Sequence, residues 1–387
     1  MFSLTSTTFV LLLRVALVVA VLWIVIRWGK AAQTSVLAVL RRLVALAVVM
    51  LLAVLNVLMP INAEYGWYST WDEVWTDLSG EPIPTVPAAQ TVGGAPAAAA
   101  KASVGPSPLQ SLPTSERDRL PLSLTPTTNG GYQTFTVKGP KSGFSSDVTV
   151  WFPPGYSEDR AMSYPVLEVY HGFLPAPLAT FRVFHLDETL EKLALEKQMK
   201  LPIVVIPHWA PNKLDTECVD GGGKNPAVET WLTKDIPEWV YRNFRVDSAR
   251  ESWATFGYSA GGWCSMMSTM LHPTTYSAAI SLGGYARPRM DPPYVPFGPK
   301  SPEARRYDLV ALAQKKPPSV ALWTLTSAQD PSSEKTTTAL VKSAQPPLSV
   351  TPTRLTEGSH RAEVWGPYIE PSLRWLATTS SGFAPAN

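Results

Sequence analysis

The sequence predicts an α/β domain with a mostly parallel central sheet, preceded by two transmembrane helices and a Pro/Ala-rich linker. Three observations predict this. From about residue 130 onward, short apolar runs alternate with stretches of helical spacing. Two long apolar segments lie near the start of the chain. Between these regions, residues 80–127 are rich in Pro, Ala, Gly and Ser, with little apolar periodicity.

The chain has 387 residues, 45% hydrophobic and 17% charged, enough for one large domain plus extra segments. A net charge of +2 gives no electrostatic reason to expect a nucleic-acid partner. Two cysteines and five histidines occur, without H-E-x-x-H, paired C-x-x-C or an EF-hand-like acidic loop. Neither a metal nor another cofactor is therefore expected.

Phe9 to Ile26 is apolar apart from Arg14, and Leu43 to Met59 is apolar apart from Asn56. Each is about long enough to cross a bilayer core, where only a helix satisfies its own backbone. Arg14 lies near one end of its span and can snorkel to the interface. Arg27, Lys30, Arg41 and Arg42 are expected in the loop between the helices, while Glu64, Asp72, Glu73 and Asp77 follow the second. The positive-inside rule puts the basic loop in the cytoplasm and everything after residue 60 outside. The aromatic stretch Tyr65 to Trp75 suits the outer interface. A signal peptide ending near Ala63 is the alternative, and it also exports the rest of the chain. The expected organisation is a two-helix anchor (1–62), an interfacial segment (63–79), a semi-extended linker (80–129) and a catalytic domain (130–380).

Within the domain, YQTFTVKG and DVTVWFPP suggest two strands at an antiparallel edge. YPVLEVYHG and LPIVVIPHW are continuous apolar runs, as in buried parallel strands. Leu186 to Lys200 and NPAVETWLTKDIPEWVYRNF have helical spacing. SWATFG, SAAISLG, SVALWTLTS and LSVTPTRL supply the remaining strands.

Gly257, Tyr258, Ser259, Ala260 and Gly261 form G-x-S-x-G between a predicted strand and a predicted helix. In that context the pattern makes a nucleophile elbow, a sharp turn that lifts the serine above the sheet. Gly257 and Gly261 remove side chains that would collide there. The plainer alternative is a serine that caps the helix. A serine hydroxyl needs a base. Asp330 and His360 each follow a predicted strand, in the order Ser, acid, His expected of this arrangement. His360 would accept the Ser259 proton, and Asp330 would orient the imidazole. Glu334, one helical turn on, is the competing acid, and Asp330 is a candidate helix cap. The oxyanion donors are expected to be the backbone N–H groups of Ala260 and Phe173, with Gly172 allowing close approach. His171 is read as a neutral structural histidine. Cys218 and Cys264 are expected to form a disulfide in an exported domain, with two separate thiols as the alternative. Gly284 to Lys300 is long, proline-rich and aromatic, which suggests a lid or pocket wall.

These stretches resemble the esterase D-like α/β hydrolases that include the antigen 85 mycolyltransferases. VTVWFPPGY and YPVLEVYHG match the opening strands and oxyanion loop, and FGYSAGG matches the nucleophile turn. GSHRAEVWGPY matches the C-terminal histidine followed by Trp365 and Gly366. The two-helix anchor followed by INAEYGWYSTWDEV looks like membrane-bound actinobacterial relatives. The likeness covers roughly residues 130–380. It implies an α/β-hydrolase fold, a triad of Ser259, Asp330 and His360, and oxyanion donors Phe173 and Ala260. No trehalose-binding set maps onto the chain, so mycolyl transfer is not implied. The expectation is a membrane-tethered, extracytoplasmic serine esterase or acyltransferase acting on an acyl ester or glycolipid-like substrate. The alternative is a non-catalytic cell-envelope binding protein on a hydrolase scaffold.

Overall fold

No Gly or Pro interrupts residues 36–59, so nothing in the sequence stops a helix there. In the computed structural model, α1 spans Thr7–Arg27 and α2 spans Val36–Tyr65. The structure describes residues 4, 6–27, 35–65, 67–68, 70–79, 104–112, 130–156, 163–173 and 183–385. Both helices outlast their apolar runs. Arg41 and Arg42, expected in the interhelical loop, lie inside α2, and Arg27 is the last residue of α1. The reason is local: Ser35 Oγ accepts the Ala38 N–H, and good helix formers follow without a break. Both helices are long and apolar enough to cross a membrane. Asn56 Nδ2 donates to the Leu13 carbonyl at 3.0 Å, joining α2 to α1. A short helix, α3 (Trp71–Ser79), follows.

Most of the expected linker lies outside the described residues. Of the expected linker, whose last part could instead be a loosely packed extension of the domain, residues 104–112 pack on the domain. A 3₁₀ turn at Pro108–Ser111 is started by Ser107 and buries Leu109 in the domain core, with Leu112 packed beside it. These two apolar side chains contribute part of the free energy that orders this short segment.

The apolar runs become eight strands: β1 (Gly131–Lys138), β2 (Ser145–Phe152), β3 (Val166–Tyr170), β4 (Ile203–Pro207), β5 (Trp253–Tyr258), β6 (Ala278–Leu282), β7 (Ala321–Ser327) and β8 (Ser349–Leu355). They form one sheet in the order β1-β2-β4-β3-β5-β6-β7-β8. The pairs β1/β2 and β2/β4 are antiparallel, and pairing is parallel from β4 through β3, β5 and β6 to β7. The central strands β3 to β7 are buried on both faces, as the continuous apolar runs require. On β3, Val166 and Tyr170 join one core layer, and Leu167 and Val169 the other.

One face is covered by α5 (Ile236–Asn243) and α6 (Ala260–Leu271), and the other by α4 (Leu186–Leu195) and α8 (Ile369–Thr379). A further helix, α7, spans Pro331–Ser343. The helix expected over residues 225–244 runs from Val228 to Asn243, with a π turn at Trp231–Asp235 leading into α5. Pro237, in the first turn of α5, lacks an N–H and crowds the preceding turn, and the wider turn relieves this.

Two buried carboxyl groups belong to this core. Glu168, on β3, accepts from Tyr276 Oη at 2.6 Å, and burial pushes its carboxyl up to about 8. Glu229 accepts from Tyr307 Oη at 2.5 Å, pairs with Arg306 and lies 2.7 Å from His272 Nε2. Burial alone would raise it, but hydrogen bonds from His272 and Arg306, with the guanidinium charge, hold it at about 2. This cluster pins residues 302–307 to the domain.

Candidate active site

β5 ends at Tyr258 and α6 begins at Ala260, so Ser259 alone makes the turn from strand to helix. A turn this abrupt drives Ser259 to φ 55° and ψ −126°, a region that non-glycine residues rarely occupy. Its backbone is held by a bond from Ser259 N–H to the Leu282 carbonyl at 2.8 Å. The Ser259 side chain makes no capping bond to α6, so it does not serve as an ordinary helix cap.

The flanking glycines are required by space. A Cβ at Gly257 would lie 2.0 Å from the Gly261 carbonyl oxygen, and one at Gly261 would lie 2.0 Å from the Tyr170 carbonyl oxygen. Two glycines beyond the motif belong to the same packing: a Cβ on Gly262 would meet Gly284 Cα at 2.9 Å. The GG pairs at 261–262 and 283–284 carried this signal in the sequence.

The loop after β3 runs past the serine. A Cβ on Gly172 would lie 3.4 Å from Ser259 Cβ and 2.8 Å from the Tyr258 ring, so a larger residue would collide there. Phe173 follows, with 41% of its surface exposed, and residues 174–182 lie outside the described residues. Ala260 is buried at the start of α6, where the first backbone N–H groups have no partner within the helix. His171 is buried and stacks on Trp209 with ring centroids 5.0 Å apart. Its Nδ1 bonds the Gly172 carbonyl at 2.8 Å. Burial lowers its pKa to about 3, so the ring is neutral and shapes the loop.

Asp330 lies three residues beyond β7 and His360 five beyond β8. His360 Nδ1 is 2.8 Å from Asp330 Oδ2 and 2.9 Å from Ser332 Oγ. Both side chains are buried. With its proton on Nδ1 facing the carboxylate, the imidazole has Nε2 as its basic nitrogen. Asp330 Oδ1 accepts the Ser332 N–H at 3.0 Å, so this carboxylate also caps α7. Glu334 faces elsewhere: its Oε1 is 2.8 Å from Arg354 Nε and 2.7 Å from Arg354 Nη2. Ser332 was not singled out in the sequence. Its place two residues after Asp330, in a capping turn, is the only signal for it.

Cys218 and Cys264 are disulfide-bonded, with Cα atoms 5.8 Å apart. The bond ties the Cys218 loop to α6, the helix that follows Ser259. In the expected lid or wall, Tyr285, Ala286 and Tyr294 are buried. Buried Glu217 holds this segment, accepting from Tyr285 Oη at 2.5 Å and from the Arg289 N–H at 3.0 Å.

The family described as "Putative esterase" matches residues 143–364, more than half of the chain. The chain belongs to this esterase family. This membership agrees with the carboxylic-ester hydrolase or acyltransferase chemistry expected from the sequence. A curated relative, an uncharacterized protein of Corynebacterium glutamicum, is 26% identical over 157 residues. That match covers 40% of this chain and 36% of the relative, so the chain spans about a third of the protein it matches. Among solved structures, a ferulic acid esterase superposes with a TM-score of 0.53 at 16% identity, over 66% of this chain and 100% of its own. An S-formylglutathione hydrolase from Agrobacterium tumefaciens gives a TM-score of 0.53 at 16% identity, over 66% and 97% of the two chains. MPT51 of Mycobacterium tuberculosis gives 0.45 at 14% identity, over 65% and 98%. The fold is that of the α/β hydrolases, behind two apolar N-terminal helices.

Proposed function

We propose that the esterase acts through a Ser259–His360–Asp330 triad and an acyl-enzyme on Ser259. His360 Nε2 takes the hydroxyl proton as Ser259 Oγ attacks the ester carbonyl. The same nitrogen then returns that proton to the leaving alcohol. Asp330 holds the imidazole tautomer and stabilises the imidazolium. The N–H groups of Ala260 and Phe173 stabilise the tetrahedral oxyanion, and Gly172 lets the Phe173 loop come close. Water or a sugar hydroxyl then receives the acyl group.

The observation that carries this reading is the left-handed backbone of Ser259 at the β5–α6 junction, cleared of side chains by Gly257 and Gly261. Such strain persists where the surrounding structure enforces it, and here it presents a hydroxyl that the helix does not use. The His360–Asp330 pair supports the base and acid roles. The test is hydrolysis of p-nitrophenyl butyrate. Ser259→Ala is expected to lower kcat by several orders of magnitude with the fold intact, and a variant as active as the wild type would refute the assignment. Labelled acyl donors offered with and without sugar acceptors separate hydrolysis from transfer.

The same reading divides the chain into a two-helix anchor (1–62), an interfacial segment (63–79), a linker (80–129) and the catalytic domain (130–380). It places that domain outside the cell. Arg27, Arg41 and Arg42 lie at or near the joined ends of α1 and α2, which supports a cytoplasmic turn. Exposed Trp67, Trp71 and Trp75 after α2 support an outer interface. Protease added to intact cells is expected to degrade the catalytic domain, and protection would reverse the orientation.

A further inference from the structure

The loops Ser327–Ser332 and Thr356–Arg361, which carry Asp330 and His360, belong to one compact body with the described part of Met1–Pro87. A chain of contacts runs through that body. Asn62, in the last turn of α2, is buried. Its Nδ2 donates to the Tyr68 carbonyl and its Oδ1 accepts the Tyr68 N–H, each at 2.8 Å. The backbone of Tyr68 is therefore fixed to the end of α2. The Arg361 guanidinium lies 4.7 Å from the centre of the Tyr68 ring, within cation–π range. Arg361 is the residue after His360. On the other side of the same loop, the Gly358 N–H donates to Gln329 Oε1 at 3.0 Å, joining the base loop to the acid loop.

We propose that Tyr68 is a positioning residue of the esterase site: its ring holds Arg361, and so sets the His360 loop from the end of the membrane-proximal helix α2. The inference rests on His360 being the catalytic base. A base must meet the serine hydroxyl within hydrogen-bond reach, and a shift of about 1 Å can cost on the order of a hundredfold in rate. The loop is short and carries Gly358, at φ 118°, two residues before the base. Beside the Gln329 and Asp330 contacts, the Tyr68 ring braces this loop through Arg361. The segment that follows the anchor is then part of the catalytic apparatus as well as a tether.

The test uses the full-length chain in phosphatidylcholine–phosphatidylglycerol vesicles with p-nitrophenyl butyrate. Tyr68→Ala is expected to lower kcat at least tenfold with KM within twofold, because substrate binding is untouched while the base is misplaced. Tyr68→Phe keeps the ring and is expected to retain kcat within twofold. The Tyr68→Ala/Arg361→Gln double variant is expected to be no worse than the worse single variant. The inference is overturned if Tyr68→Ala keeps its kcat and loses only thermal stability, if Tyr68→Phe is as impaired as Tyr68→Ala, or if the two losses multiply. Should Tyr68→Ala fail to fold, Arg361→Gln and Arg361→Lys probe the same contact from the other side. A kcat for Arg361→Gln equal to that of Arg361→Lys then overturns it. Ser259→Ala separates the two readings. If Ser259→Ala remains active, the triad itself fails, whereas an inactive Ser259→Ala beside a fully active Tyr68→Ala removes only this inference.

Discussion

His360 Nδ1 lies 2.8 Å from Asp330 Oδ2, while the other oxygen of the same carboxylate caps α7 through the Ser332 N–H. The helix thus fixes the carboxylate that orients the imidazole. The cap and triad-acid roles, which compete in the sequence, are compatible in one side chain.

This geometry predicts an asymmetry between the two candidate acids. Asp330→Asn is expected to lower kcat on an aryl ester by roughly three to four orders of magnitude, because an amide no longer holds the required tautomer. Glu334→Gln breaks only a pair with half-exposed Arg354, so kcat should stay within about twofold. A larger loss for Glu334→Gln would reassign the acid.

The elbow glycines predict a contrast in tolerance. Gly261→Ala would put a methyl group 2.0 Å from the Tyr170 carbonyl oxygen, a backbone atom that cannot swing aside. It should cost at least about 1–3 kcal/mol and abolish ester hydrolysis. Gly298→Ala meets no atom within 4 Å and should stay within about 0.5 kcal/mol of the wild type. Thermal unfolding and p-nitrophenyl butyrate hydrolysis read both variants.

The disulfide closes a loop across a sequence separation of 46 residues. By chain entropy such a crosslink contributes about 4 kcal/mol, and native bridges typically measure about 2–5. The Cys218→Ala/Cys264→Ala double variant is expected to unfold at correspondingly lower denaturant. An unchanged midpoint would show that the bond adds nothing.

Glu229 predicts a pH effect of definite sign. Its native carboxyl is held at about 2 against an ordinary value of 4.5. A depressed acid adds stability above its unfolded pKa and loses it as pH falls toward the native one. Stability should therefore drop between about pH 4.5 and pH 2, by on the order of 3 kcal/mol from this group. Glu229→Gln is expected to be less stable at pH 7 by about 3 kcal/mol and to show a shallower acid limb. Denaturant unfolding across that range measures both.

The parts of this protein legible in sequence are those with a strong local cause. The central strands read as apolar runs because both of their faces are covered, and YQTFTVKG and DVTVWFPP read as an antiparallel edge. The strand-to-helix turn at Ser259 is legible because collision leaves no alternative to glycine at 257 and 261. What escaped depends on distant contacts. Leu109 in a Pro-rich stretch gives no periodic signal, yet it finds the core. The basic residues of α2 read as loop because charge was taken to end an apolar span, although helix propagation continues through Arg41 and Arg42. Tyr68 and Arg361 are far apart in the chain, and no spacing rule connects them.

The central claim is that Ser259 is the nucleophile. Its most direct test is labelling of the full-length protein with a fluorophosphonate, followed by mass spectrometry of the labelled peptide. The predicted result is one adduct, on Ser259, that is lost in Ser259→Ala. An unlabelled wild-type protein, or equal labelling of Ser259→Ala, would contradict it.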